Sequence, residues 1–111
     1  MVKRVFYIEK EKFLRSMFEV ALKAKGAEIY TVDALKDNFY LIDDLKPQLI
    51  IFDINQSPDD LEQLYQYHQK IKLVASGHEG SENNLDPRVK GFMPKPIVAH
   101  NLAEKILSLI D

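Results

Sequence analysis

Four consecutive large apolar residues, Leu49 to Phe52, lie between Pro47 and Asp53 and constrain the fold more than any other stretch of the chain. Such a run has no polar face. As a strand it must be covered on both sides, which is the position of a central strand in a parallel sheet. The flanking sequence supplies the covers. Glu11 to Lys25 places Leu14, Met17, Phe18, Ala21 and Leu22 at helical spacing, and Gly26 follows where a left-handed C-cap is wanted. Asp33 can cap a second helix whose Leu35, Phe39, Ile42 and Leu45 face inward before Pro47 ends it. In Ser57-Pro58-Asp59-Asp60, a serine N-cap, a proline at the first helical position and two acids at the positive end of the dipole start a third, expected to reach about Lys70.

The remaining segments alternate with these. Val2 to Ile8 and Glu28 to Val32 are β-branched and aromatic, Lys72 to Ala75 makes a fourth strand, and Lys90 to Met93 a short fifth. Val98 to Ile110 closes the chain as a helix with Leu102, Ala103, Ile106, Leu109 and Ile110 inward and a solvated outer face. From Ser76 to Lys90 only Leu85 and Val89 are large and apolar, so this stretch reads as a loop or at most one helical turn. The order predicts one α/β domain over residues 1–111, a five-stranded parallel sheet sandwiched by helices.

Composition removes several function classes. The 111 residues carry 15 basic and 17 acidic side chains for a net charge of -2, so no basic face is offered to nucleic acid. No apolar run approaches a membrane span. Zero cysteines exclude a disulfide framework and a thiol nucleophile and suit a cytoplasmic setting. Four glycines with no G-x-G and no G-K-[ST] exclude the common nucleotide-binding loops. His68, His78 and His100 lie in separate segments without ligand spacing, and Tyr65 and Tyr67 read as partly packed helix residues.

In a sheet of this kind, chemistry gathers at the carboxyl ends of the strands. There the sequence has Glu9-Lys10-Glu11 after the first strand, Asp53-Ile54-Asn55 after the third, Ser76-Gly77 after the fourth and Lys95-Pro96 after the fifth. This constellation resembles the receiver domain of bacterial response regulators, the flavodoxin-like CheY fold, over nearly the whole chain. The resemblance implies that Asp53 holds the phosphoacceptor position and Ser76 that of the switch hydroxyl. It places Lys95 at the phosphate-binding lysine, oriented by a cis Pro96. Asn55 falls where the family offers a metal a backbone carbonyl, and Phe92 where it has an aromatic that moves with the hydroxyl.

Two departures follow from the same mapping. Glu9 takes the first acidic position, but Lys10 takes the second, a direct metal ligand in the family. Unit charges at 4 Å interact by roughly 4 kcal/mol at an effective dielectric near 20, so an ammonium there opposes Mg²⁺. Lys10 is expected instead to bond to Asp53 and Glu9, with Glu11 a minor candidate as substitute ligand. Asp53 and Ser76 are only 23 positions apart, and the stretch to Lys95 is also compressed, so the helix between the fourth and fifth strands is expected to be short or missing.

The reading that results is a non-enzymatic pseudo-receiver, a phosphorylation-independent interaction or dimerisation module without cofactor. Its partner would be another protein, a downstream output domain or a second copy. One alternative is a receiver that takes phosphate on Asp53 from a histidine kinase, with Mg²⁺ held by Glu9, Asp53 and Asn55. A weaker one is a small flavodoxin-like ligand binder.

Overall fold

In a computed structural model that describes residues 2–111, β1 spans Arg4–Ile8, α1 Lys12–Lys23, β2 Glu28–Val32, α2 Tyr40–Leu45 and β3 Leu49–Asp53. After them come α3 at Pro58–Tyr65, β4 at Lys72–His78, a 3-10 turn at Ser81–Asn84, β5 at Gly91–Lys95 and α4 at Leu102–Ser108. All strand pairings are parallel and the order is β2-β1-β3-β4-β5. All five residues of β3 are buried, as the LIIF run requires.

The sheet divides the interior into two cores. Leu49 and Ile51 of β3 join Val5, Tyr7 and Val74 beneath Phe18 and Leu22 of α1 and Leu102 and Ile106 of α4. Ile50 and Phe52 face the other way, into a core closed by Leu35, Ile42, Leu64 and Val89. Burying each such side chain contributes about 1.5–3 kcal/mol, so the two covers hold the sheet far more strongly than its surface charges do.

Local chemistry explains where elements start and stop. Ser57 Oγ accepts from the Asp60 amide at 3.2 Å with Pro58 at the first position, the cap that the sequence predicts. Gly26 stands at φ 78°, and the Ala27 amide returns to the Leu22 carbonyl.

Several bounds differ from expectation. α2 begins at Tyr40, not at Asp33, because Asn38 Nδ2 bonds back to the Ala34 carbonyl and Asp37 adopts φ 68°, which together hold a turn in place of a helix start. α3 ends at Tyr65, and the chain tightens into successive i→i−3 bonds at Tyr67, His68 and Lys70. α4 begins only after Asn101, whose φ of 56° stops the helix from extending back to Val98. β4 runs on to His78, and β5 runs from Gly91 to Lys95, because the two pair up to His78 with Lys95.

The helix between β4 and β5 is reduced to the 3-10 turn, as the short spacing implies. The segment after the turn packs Leu85 and Val89 onto the second core. Arg88 fastens it, making two bonds to Glu62 of α3 at 2.9 and 3.0 Å and two to Asp86 at 2.9 Å, with its guanidinium 5.0 Å over the Tyr65 ring.

Candidate functional site

The strand order reverses direction between β1 and β3, so the carboxyl ends of these two strands border a cleft. It has a volume of about 510 Å³, and Glu9, Asp53, Lys95, Lys10, Asn55 and His78 are among its lining residues.

Glu9 follows Ile8 directly and its side chain shares the face of Tyr7, two residues earlier. It is completely buried. Its carboxylate accepts from Tyr7 Oη at 3.3 Å and from the Glu11 amide at 3.0 Å. Asp53, the last residue of β3, is 6% exposed; its Oδ1 accepts from the Asn55 amide at 2.7 Å.

Between the two carboxylates lies Lys95. Its Nζ donates to Asp53 Oδ2 at 2.7 Å and lies 2.9 Å from Glu9 Oε1. Burial alone would pull this ammonium's pKa down, but the bonds to Asp53 and Glu9 outweigh it and raise the value above that of an ordinary lysine. Tyr7 is shifted upward as well, first by burial and then by the Glu9 charge. It therefore stays a phenol and a donor. Its ring stacks on Phe18 at 3.8 Å, which anchors the floor of the site in the core.

Lys10 does not fill the pocket. It is exposed on the rim and has no ion pair to Glu9 or Asp53 among the described residues, so the ammonium that neutralises them is that of Lys95. The cause is the backbone. Arg15 Nη1 donates to the carbonyls of both Glu9 and Lys10, at 2.6 and 2.8 Å, and fixes a loop from which the Lys10 side chain leaves toward solvent.

Ser76 is paired in register with Asp53 and is fully buried. Its Oγ donates to the Met93 carbonyl at 2.9 Å, so the hydroxyl is engaged within the sheet, beside the cleft. On the opposite face Ile54 covers Gly77 so closely that a Cβ at that position would stand 2.8 Å from its side chain.

Phe92 is half-buried against the second core. Pro96 follows a cis Lys95–Pro96 peptide and lines a hollow with Ile97 and Val98 outside the acid cleft. Asn55 is exposed at the rim. Gln56 was no sequence candidate, yet its side chain joins two loops, donating to the Asp53 carbonyl and accepting from the Leu35 amide, both at 3.2 Å.

The donor set does not fit a divalent metal. Glu9 and Asp53 already share one ammonium, their other oxygens accept backbone amides, and the adjacent position carries Lys10. Among the described residues no three His, Cys, Asp or Glu side chains converge as ligands. The arrangement can hold a neutralised, hydrogen-bonded acid pair at the strand ends.

No protein-family model and no curated protein sequence matches the chain. Solved structures do. The signal receiver domain of a putative Luxo repressor protein from Vibrio parahaemolyticus superposes with a TM-score of 0.80 at 24% identity, over 99% of this chain and 91% of that one. A CheY-like response regulator receiver domain from Methanospirillum hungatei gives 0.82 at 20% identity, over 100% and 95%. The receiver domain from the hybrid histidine kinase CckA gives 0.75 at 21%, over 97% and 99%. Five parallel strands in the order β2-β1-β3-β4-β5, helices on both faces and likenesses of this extent make the architecture that of the CheY-like response regulator receiver domain.

Proposed function

We propose that the chain is a pseudo-receiver of a bacterial two-component-type signalling protein, a cytoplasmic, non-enzymatic module that binds another protein, an output domain or a second copy without phosphorylation. One observation carries this reading. The Lys95 ammonium sits 2.7 and 2.9 Å from Asp53 and Glu9, and the position that would complete an acid cluster is Lys10. The pocket thus has its counter-charge built in, and the receiver fold is held in one state. The shortened β4–β5 connection, clamped by Arg88, supports the same view. The likeness in fold to a receiver domain from a hybrid histidine kinase supports placement in such a signalling chain.

A specific observation favours a second reading, a receiver phosphorylated on Asp53. Asp53 and Ser76 are paired in register, Lys95 bonds to Asp53, and a cis peptide joins Lys95 to Pro96, which supports that reading. Mg²⁺ with beryllofluoride or acetyl phosphate separates the two. The unmodified protein is expected to form no Asp53 adduct by mass spectrometry or ¹⁹F NMR, and Lys10→Asp to form one. A stable adduct on Asp53 of the unmodified protein would sink the pseudo-receiver reading and leave the second.

A further inference from the structure

At the end of the sheet opposite the acid cleft, a groove of about 550 Å³ opens between α2 and the chain that follows α3. It exists because both helices stop early. α3 ends at Tyr65, and the i→i−3 turns after it bring Tyr67, Lys70 and Ile71 to face α2. α2 ends at Leu45, and Lys46 takes the left-handed conformation, φ 49°, at its C-cap. A lysine is an unusual residue there, since glycine or asparagine adopts that conformation with less strain.

The lining has two chemistries. Ile42, Pro47 and Ile71 are buried and form an apolar floor, with the half-buried Tyr67 at its side. Lys46 and Lys70 are exposed at the rim, and neither has an ion-pair partner among the described residues. Asp43 is the one acid of the lining, and it accepts from Tyr67 Oη at 3.4 Å. The rim therefore carries a net positive charge on a chain whose total is -2.

We propose that the groove between the end of α2 and the unwound end of α3 binds a small anionic ring compound, its ring on Ile42, Pro47 and Ile71 and its acid group between Lys46 and Lys70. An apolar floor with a few convergent polar groups is the usual build of a small-molecule site. The apolar floor accounts for the ring, and the two unpaired lysines for the charge. This site is independent of Asp53 and of the signalling role proposed above.

The probe is 1-anilinonaphthalene-8-sulfonate, titrated into the full chain by fluorescence with amide shifts recorded by NMR. One saturable site is expected, with shifts confined to residues 42–48 and 67–71. Lys70→Glu should weaken binding by about five- to tenfold, and Lys36→Glu, outside the groove, should leave it unchanged. N-phenyl-1-naphthylamine, the same ring system without the sulfonate, should bind at least about fivefold more weakly than the sulfonate. Shifts elsewhere in the chain, no saturation, equal binding of the two probes, or Lys70→Glu bound as well as the unmodified chain would overturn the proposal. Circular dichroism of the variant separates lost binding from lost fold.

Discussion

Twice among the described residues one cation lies between two carboxylates, and the two clusters differ in kind. Lys95 lies between Glu9 and Asp53 with side-chain exposures of 15%, 1% and 9%, at the ends of three strands. Arg88 lies between Glu62 and Asp86 with exposures of 27%, 59% and 26%, on the surface. By hydrogen-bond count the surface cluster is the richer, since Arg88 makes four side-chain bonds. By consequence the buried one dominates. A charge left alone in a protein interior costs several kcal/mol, whereas an exposed partner is rehydrated at once. Contact number therefore says less about what a cluster does than the fate of the partner left behind.

Breaking the buried cluster gives the largest expected effect. Lys95→Met leaves two carboxylates facing one another and should lower unfolding free energy by about 2–3 kcal/mol, under the 3–5 of a fully dry pair because the cleft is open to water. Denaturant melts measure this. Adding Glu9→Gln and Asp53→Asn should recover most of the loss; no recovery would show that packing of the lysine stem, not charge, was at stake.

Tyr7→Phe comes next. It removes one donor from a buried carboxylate while keeping the stack on Phe18, and should cost about 1 kcal/mol, modest because the bond is 3.3 Å long.

Removing the surface cation should have the smallest effect on global stability. Arg88→Ala is expected to leave the melting midpoint nearly in place while hydrogen exchange of the Val89 amide, which donates to the Asp86 carbonyl, speeds up. A large fall in midpoint would overturn the ranking of the two clusters.

The clusters also respond to opposite ends of the pH scale. The folded pKa of Lys95 lies above its usual 10.5, so its contribution is full below that pH and is lost as the pH rises through the folded value. Asp86, held to about 2 chiefly by its hydrogen bonds to Arg88, contributes above its ordinary value near 3.8 and loses that contribution as the pH falls toward 2. Exchange at Val89 followed from pH 5 to pH 2 should report the acid limb, and melts from pH 9 to pH 12 the alkaline one.

The legible parts of the sequence were those that end strands. Glu9, Asp53, Ser76 and Lys95 each stand where an apolar run stops, and β2 has the bounds its residues predict. The direction of Lys10 is not legible in the sequence, because position along the chain fixes a residue's place but not where its side chain points, and here that is set by Arg15 gripping two carbonyls from the next helix. The role of Tyr7 is hidden because an aromatic in a buried strand reads as packing alone, although its spacing of two from Glu9 puts both on one face of the strand. The Arg88 clamp was hidden for another reason. The Ser76–Lys90 stretch is polar, and nothing local shows that Glu62, from another helix, completes its charge pairing.

The bond from Ser76 to the Met93 carbonyl makes the hydroxyl a cross-stitch between β4 and β5. Any group arriving on Asp53 would have to offer that hydroxyl a better acceptor than a backbone carbonyl already in place. The serine thus fastens the edge strand to its neighbour through a side chain as well as through the backbone ladder.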